Sequence, residues 1–137
     1  MTKPTAQSLV ESFVASAENT APEVWDDARG RLSFHTLISA GATPSNGLVA
    51  GVSAIEPGGG LARHRHAPPE IYYVLEGAAT VTIDGVARVV SAGAAVFIPG
   101  NAWHSIDNNF EKPFRIFYVF PTDRFEDVEY VFARAGS

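Results

Sequence analysis

The sequence predicts an all-β fold, a sandwich or a barrel, with a short helical segment before it. Short apolar runs recur at regular spacing from residue 32 onward, and glycine-containing turns separate them. Asp84-Gly85 lies between two such runs and is a strong signal for a two-residue β-hairpin. Because 137 residues suit one domain, we expect an N-terminal helical extension over 1–29 and a β-barrel domain with a C-terminal tail over 30–137.

The N-terminal extension contains two predicted helical segments. Apolar side chains recur at helical spacing over residues 5–17, which indicates a short amphipathic helix packed on the barrel or on a partner subunit. A second helical turn is expected over residues 23–28, because Pro22 suits the first turn of a helix. Trp25 is the expected packing anchor of that turn, since large aromatic side chains usually bury area.

The β region is expected to begin at Gly30. Its predicted strands cover residues 32–38, 48–55, 71–75, 78–83, 86–90, 94–98 and 114–120. The tail, residues 122–132, mixes acidic and aromatic side chains. We therefore expect it to cover an edge of the sheet or a neighbouring subunit.

One short stretch carries metal-ligand chemistry. His64 and His66 alternate along an extended segment, so their side chains point to the same face. Pro68-Pro69 should break that strand into a turn, and Glu70 begins the next apolar run. Two imidazoles and a carboxylate at such a junction suit a divalent transition metal. A fourth ligand is expected from elsewhere in the chain.

A second motif supplies this fourth ligand, and together the two motifs resemble those of the cupin family. The first motif is matched by Gly58, His64, His66, Glu70 and Gly77, and the second by Gly93, Pro99, His104 and Asn108. Asn101 stands where the second motif has a glycine, but asparagine tolerates left-handed backbone, so the turn should form. The resemblance covers roughly residues 32–120. It implies a cupin β-barrel, also called a double-stranded β-helix or jelly roll, with His64, His66, Glu70 and His104 as metal ligands.

Composition excludes several classes of function. The formal charge of −5 comes without a basic cluster, which disfavours nucleic acid as a partner. The chain has no cysteine, so disulfides, thiolate ligands and a cysteine nucleophile are absent. Neither a signal-peptide pattern nor an apolar run of roughly 20 residues is present, which predicts no membrane span. A cytoplasmic protein is the expectation.

Nitrogen and oxygen ligands without sulfur suit Fe, Mn, Ni, Co, Zn or Cu, and the sequence does not choose among them. Four protein ligands leave one or two coordination positions open for a substrate, which favours a small-molecule enzyme over a purely structural site. Tyr72 lies two residues after Glu70 on the same strand, so its ring should enter the same cavity. A nearby cation favours phenolate, which makes Tyr72 a candidate general base. The alternative is a core tyrosine with a hydrogen-bonded hydroxyl.

Three functions stay open. The first is a metal-dependent lyase or isomerase with Tyr72 as the base, since the ligand set resembles that of cupin-type dimethylsulfoniopropionate lyases, which release acrylate and dimethyl sulfide. The second is an Fe-dependent dioxygenase, which the same ligand set also resembles. The third is a non-enzymatic module that binds or senses a small ligand.

Several other residues have simpler interpretations. Trp103 is expected to pack in the barrel wall rather than to roof the pocket, and His35 is expected to be a packed or a surface side chain. Arg63 and Arg65 alternate with the ligand histidines and should face away from the metal. Asn108 is expected to fix the loop after His104.

The run 71–75 is apolar on both faces, which predicts that its outer face meets another element or another subunit. A homodimer is expected, and the resemblance to cupins implies the same.

Overall fold

A computed structural model describes residues 11–134, which contain eleven strands and two 3₁₀ turns. The strands are β1 (Glu23–Asp27), β2 (Gly30–Ile38), β3 (Val49–Ile55), β4 (Gly60–Arg65), β5 (Glu70–Glu76), β6 (Ala78–Ile83), β7 (Val86–Ser91), β8 (Ala95–Ile98), β9 (His104–Asp107), β10 (Phe114–Phe120) and β11 (Val131–Phe132). The turns span Ala17–Asn19 and Phe125–Asp127. The prediction of an all-β fold is confirmed.

The strands form one curled antiparallel sheet in the order β7-β6-β9-β4-β2-β3-β10-β5-β8, with β1 paired to β2 and β11 paired to β4. Strands that follow one another in the sequence are often not adjacent in the sheet, so the sheet winds around a shared interior. The β4–β9 pairing is the one that matters most for function, because it joins the two motif-bearing parts of the chain.

The interior is filled by alternate residues of each strand, as a pleated sheet with one buried face requires. In β5, Tyr72 and Val74 are buried, whereas Ile71, Tyr73 and Leu75 are exposed. β10 shows the same alternation, with Phe114, Ile116, Tyr118 and Phe120 buried. The core therefore lies inside the curled sheet, and no element among residues 11–134 covers the outer face of β5.

The helical predictions for the N-terminal extension are wrong where the structure describes them. Residues 5–10 of the expected helix lie outside the described residues, residues 11–16 are not helical, and only the turn Ala17–Asn19 follows. The second expected helical turn is strand β1, which pairs with β2 over five residue pairs. Pairing with a neighbouring strand overrides the weak local preference that a proline start gives to a helix. The division into 1–29 and 30–137 stays a prediction.

The turn predictions hold. Asp84 and Gly85 join β6 to β7 with positive φ angles of 46° and 82°, as a two-residue hairpin turn of this kind requires. Asn101 also has a positive φ, 62°, so asparagine adopts the left-handed conformation expected of the glycine it replaces. The tail returns to the sheet through β11, whose Val131 and Phe132 pair with Arg65 and His64 of β4.

Candidate metal centre

Three strands bring the predicted ligands together. His64 lies in β4, and His66 follows directly after that strand on the same face. The Pro68-Pro69 turn reverses the chain, so that Glu70 opens β5 toward the interior. His104 opens β9 and is the register partner of His64. Ligands from separate parts of the sequence thus meet at one end of the barrel interior.

The three histidines are close enough to share one ion, and Glu70 lies beside two of them. The nearest ring nitrogens of His64, His66 and His104 all lie within 4.8 Å of one another. The Glu70 Oε1 atom lies 3.2 Å from His66 Nε2 and 3.5 Å from His104 Nε2. Each of the four side chains is at least 96% buried, with exposed fractions from 0% to 4%. The three histidines therefore converge, and the assignment of all four residues as metal ligands stays a prediction.

Backbone carbonyls fix the tautomer of all three imidazoles. The Nδ1–H groups of His64, His66 and His104 donate to the carbonyl oxygens of Ala62, Pro68 and Ala102 at 2.7, 2.8 and 2.9 Å. The Nε2 atoms of His64 and His104 are then left with their lone pairs facing the shared centre, whereas His66 Nε2 is hydrogen-bonded to Glu70 Oε1 at 3.2 Å. Ligating histidines are commonly oriented in this way, by a hydrogen bond from the other ring nitrogen.

The donor set fits a divalent transition metal. The Nε2 atoms of His64 and His104 are buried without a hydrogen-bond partner among the described residues. An unpaired buried polar atom is costly, and a cation at the centre of these lone pairs removes that cost. Imidazole nitrogens with one carboxylate oxygen suit Fe, Mn, Ni or Zn, among others, so the chemistry of the donors does not select one metal.

Burial keeps the key imidazole in its ligating form. Burial, reinforced by the neighbouring His104, lowers the pKa of His64 to about 3, so this ring is neutral near pH 7. Burial also acts to lower the pKa of His66, but the hydrogen bond and negative charge of Glu70 outweigh it and raise that pKa. A metal must therefore displace any proton shared between His66 and Glu70.

Residues 51–120 match the cupin domain family. This chain is a cupin. The resemblance drawn from its two motifs is confirmed. The cupin is also similar to the dimethylsulfoniopropionate lyase DddW of Ruegeria pomeroyi, with 40% identity over 111 residues that cover 81% of this chain and 72% of the relative.

Solved structures agree on the fold of this cupin. The predicted oxalate decarboxylase of Thermotoga maritima superposes with a TM-score of 0.72 at 23% identity, covering 80% of this chain and 99% of that one. A structure from a study of the dimethylsulfoniopropionate lyases RdDddP and RnDddQII superposes with a TM-score of 0.65 at 20% identity, covering 76% of this chain and 53% of that one. At these identities the two structures bear on the fold alone.

Tyr72 enters the same cavity as the cupin's histidines. Its side chain is 1% exposed, and its ring centroid lies 6.5 Å from that of His104. Its buried hydroxyl lacks a well-formed hydrogen bond. Burial, followed by the negative charge of Glu70, raises the pKa of Tyr72 well above its ordinary value, so without a metal it is a neutral phenol.

The tail supplies a cavity residue that the sequence did not indicate. The Tyr130 ring stacks on His64, with centroids 5.0 Å apart and planes 20° apart. Trp25, expected to anchor a helix, instead lines the cavity from β1 beside Glu70 and Tyr72. The sequence pattern that includes Tyr130 is the alternation of acidic and aromatic residues in the tail. That pattern predicts only that the tail covers an edge of the sheet or a neighbouring subunit, and it does not predict that Tyr130 enters the cavity.

The remaining candidate residues lie outside the centre. Arg63 and Arg65 are exposed, and their guanidinium carbons lie 4.7 and 4.9 Å from the centroid of the Trp103 ring. The buried Asn108 amide donates to the carbonyl oxygens of Ile55 and Lys112, both at 2.9 Å, which fixes the loop after β9. His35 is hydrogen-bonded to Thr20 at 2.6 Å.

No helix among the described residues is both long and apolar enough to span a membrane.

Proposed function

We propose that this cupin is a metal-dependent lyase that cleaves dimethylsulfoniopropionate. The observation that carries the proposal is Tyr72, whose buried hydroxyl lacks a well-formed hydrogen bond among the described residues and lies beside the histidine cluster, in a chain 40% identical to a dimethylsulfoniopropionate lyase. A buried hydroxyl without a partner costs stability, and such costs are commonly retained at functional sites. A lyase needs a base at this place, and the fold alone would not assign one.

In this proposal His64, His66, Glu70 and His104 hold one divalent metal. When bound, the metal draws electron density from a substrate carboxylate, acidifies the adjacent C–H bond and favours the phenolate of Tyr72. The backbone carbonyls behind the three imidazoles keep each Nε2 atom directed to the centre, so the ligands need no reorganisation when the metal binds.

Tyr72 then acts as the general base. Its phenolate oxygen takes the proton from the carbon next to the substrate carboxylate. The electron pair of that C–H bond forms the new C=C bond, and the C–S bond breaks with its electron pair leaving on sulfur. The products are acrylate and neutral dimethyl sulfide, and the proton rests on Tyr72. The buried surroundings exclude water from the phenolate, which strengthens its electrostatic interactions.

The test compares the metal-loaded wild type with Tyr72→Phe. We expect the wild type to release dimethyl sulfide, measured by gas chromatography of the headspace, and Tyr72→Phe to lose about 10²–10⁴-fold in rate. Metal content, measured by mass spectrometry on the same samples, should be equal, since Tyr72 is not a ligand. A Tyr72→Phe protein that is both active and metal-loaded contradicts the mechanism. Oxygen uptake in place of dimethyl sulfide release would point to a dioxygenase instead.

We further propose that the cupin forms a homodimer through the outer face of β5 and β8. Ile71, Tyr73, Leu75 and Phe97 are large apolar side chains with exposed fractions of 42% to 65%, and Ile71 is the register partner of Phe97. A contiguous exposed apolar patch of this kind marks an interaction surface. Light scattering should give twice the 14.6 kDa chain mass, and Ile71→Glu with Phe97→Glu should give the monomer. A monomeric wild type contradicts the dimer.

The cytoplasmic location stays a prediction.

A further inference from the structure

The cavity beside the metal centre has an unusual lining for a site that would receive a carboxylate substrate. Its walls include six aromatic side chains, from Trp25, Phe34, Tyr72, Tyr118, Phe125 and Tyr130. Among the described residues, Glu70 is the only charged residue of the lining, and neither lysine nor arginine contributes to it. Apart from a bound metal, these walls carry no positive charge that would attract an anion. The walls do suit a group that is positively charged and covered by hydrocarbon.

Four of the aromatic rings that line the cavity lie close to one another and come from three separate parts of the chain: Trp25 of β1, Phe34 of β2, and Phe125 and Tyr130 of the tail. The Trp25 ring meets those of Phe34 and Tyr130 at 85°, with centroids 5.3 and 5.6 Å apart. Phe125 lies 5.6 Å from Phe34 and 6.1 Å from Tyr130. Phe125 is tilted by 53° from Phe34 and by 57° from Tyr130, and the four rings together form the walls of a box.

We propose that these four rings bind the methylated, positively charged end of the substrate, an onium group such as a dimethylsulfonium. This inference rests on the proposed lyase function, and it names the residues that select the substrate. The face of an aromatic ring attracts a cation, and the attraction is larger where water is excluded. The substrate's carboxylate end then lies toward the metal centre and its onium end among the four rings, of which Tyr130 borders that centre because it stacks on His64.

A nearby cation does not prevent this binding. The Arg29 guanidinium carbon lies 4.3 Å from the centroid of the Trp25 ring, but Arg29 is not part of the cavity lining. Arg29 forms a salt bridge with Asp27, with Arg29 Nη2 2.8 Å from Asp27 Oδ2. Both side chains are about half exposed, so solvent screens the remaining electrostatic repulsion between Arg29 and a bound cation.

The free space of the cavity, about 30 Å³, is enough for roughly one water molecule, so a wall must move to admit a substrate. Phe34 belongs to the nine-residue strand β2, and Trp25 to β1, which is held by five residue pairs. The tail is held to β4 by the two residue pairs of β11, and to the segment after β2 by hydrogen bonds from the Phe125 N–H to Ser39 Oγ at 3.0 Å and from the Ala40 N–H to the Asp123 carbonyl at 2.7 Å. Its strand pairing is the shortest of the three, so the tail, with Phe125 and Tyr130, is the wall expected to shift.

The test uses two unreactive ligands of the same shape, 3-(trimethylammonio)propionate and 4,4-dimethylpentanoate, which differ in charge at one end. Affinities for the metal-loaded protein are measured by calorimetry. In an apolar cavity without ring attraction the neutral ligand would bind tighter, because burying a charge is costly. We expect the cationic ligand to bind about tenfold tighter in the wild type.

Trp25→Leu and Tyr130→Leu should each lower this ratio of affinities at least about threefold. Trp103→Leu, outside the cavity, is the matched control and should leave the ratio unchanged. A variant that only destabilises the fold lowers the affinity for both ligands and leaves the ratio of the two affinities unchanged. Equal or tighter binding of the neutral ligand by the wild type overturns the inference, and this comparison needs no variant to fold.

The two proposals fail separately. If no dimethyl sulfide is released but the cationic preference and its loss in the variants are found, the lyase function is wrong and the onium site stands. If dimethyl sulfide is released and the ratio shows no preference, the lyase function stands and the onium site is wrong.

Discussion

The buried imidazole of His64 makes the stability of the metal-free protein depend on pH in a predictable direction. Its pKa is about 3 in the folded protein and 6.5 in the unfolded chain. Between these values the unfolded chain binds a proton that the folded protein does not, so the free energy of unfolding falls as the pH falls. From about pH 7.5 to about pH 4.5, this one group should remove about 2–3 kcal/mol of stability.

The assay is urea unfolding of chelated wild type and of His64→Leu at the two pH values. Other groups titrate in both proteins. They include His66, whose pKa is raised, in the direction opposite to that of His64. The difference between the two pH-dependent losses therefore reports on His64 together with its electrostatic coupling to His104 and His66. We expect the wild type to lose about 2–3 kcal/mol more than the variant on acidification. Parallel losses in the two proteins would refute the argument that burial keeps this imidazole neutral.

Three further predictions concern the ligands and the core. A divalent metal at about 100 times its dissociation constant should raise the free energy of unfolding by about 2.7 kcal/mol in urea titrations, and His104→Ala should abolish most of this gain; an equal gain in the variant would exclude His104 as a ligand. Gly51→Ala should cost about 1–3 kcal/mol in the same assay, because its Cβ would lie 2.3 Å from the hydroxyl oxygen of Tyr118; an unchanged midpoint would show that the strands relax freely. Asn108→Ala should cost about 1–3 kcal/mol, because the carbonyl of Ile55 loses a buried donor; a cost below about 0.5 kcal/mol would mean that water replaces the amide.

The ligand cluster could be predicted because its geometry follows from local rules. Strand alternation places His64 and His66 on one face, and a proline turn returns Glu70 beside them. Placing His104 in the cluster also requires the pairing of β4 with β9, which joins residues 40 positions apart in the sequence. The spacing of the two motifs supplied that pairing through the family resemblance, since no local rule gives it.

The onium site could not be predicted, because its rings meet only through tertiary structure. Trp25 was placed on a helical turn, and strand β1 was recognisable only from its pairing with β2. Tyr130 reaches the cavity because the two residue pairs of β11 hold the tail against β4. Neither the pairing of β1 with β2 nor that of β11 with β4 is visible as a periodic pattern in the sequence. The sequence therefore does not predict which residues the rings of Trp25 and Tyr130 contact.

The most direct test of the proposed lyase is the rate of dimethyl sulfide release from dimethylsulfoniopropionate as metal-free protein is titrated with a divalent metal. We expect no release without metal, a rise in rate as metal is added, and a break at one metal per chain. His64→Ala combined with His104→Ala should stay inactive throughout the titration. Release that is unaffected by chelation, or no release at one bound metal per chain for Fe, Mn, Ni and Zn, would contradict a lyase built on this histidine cluster.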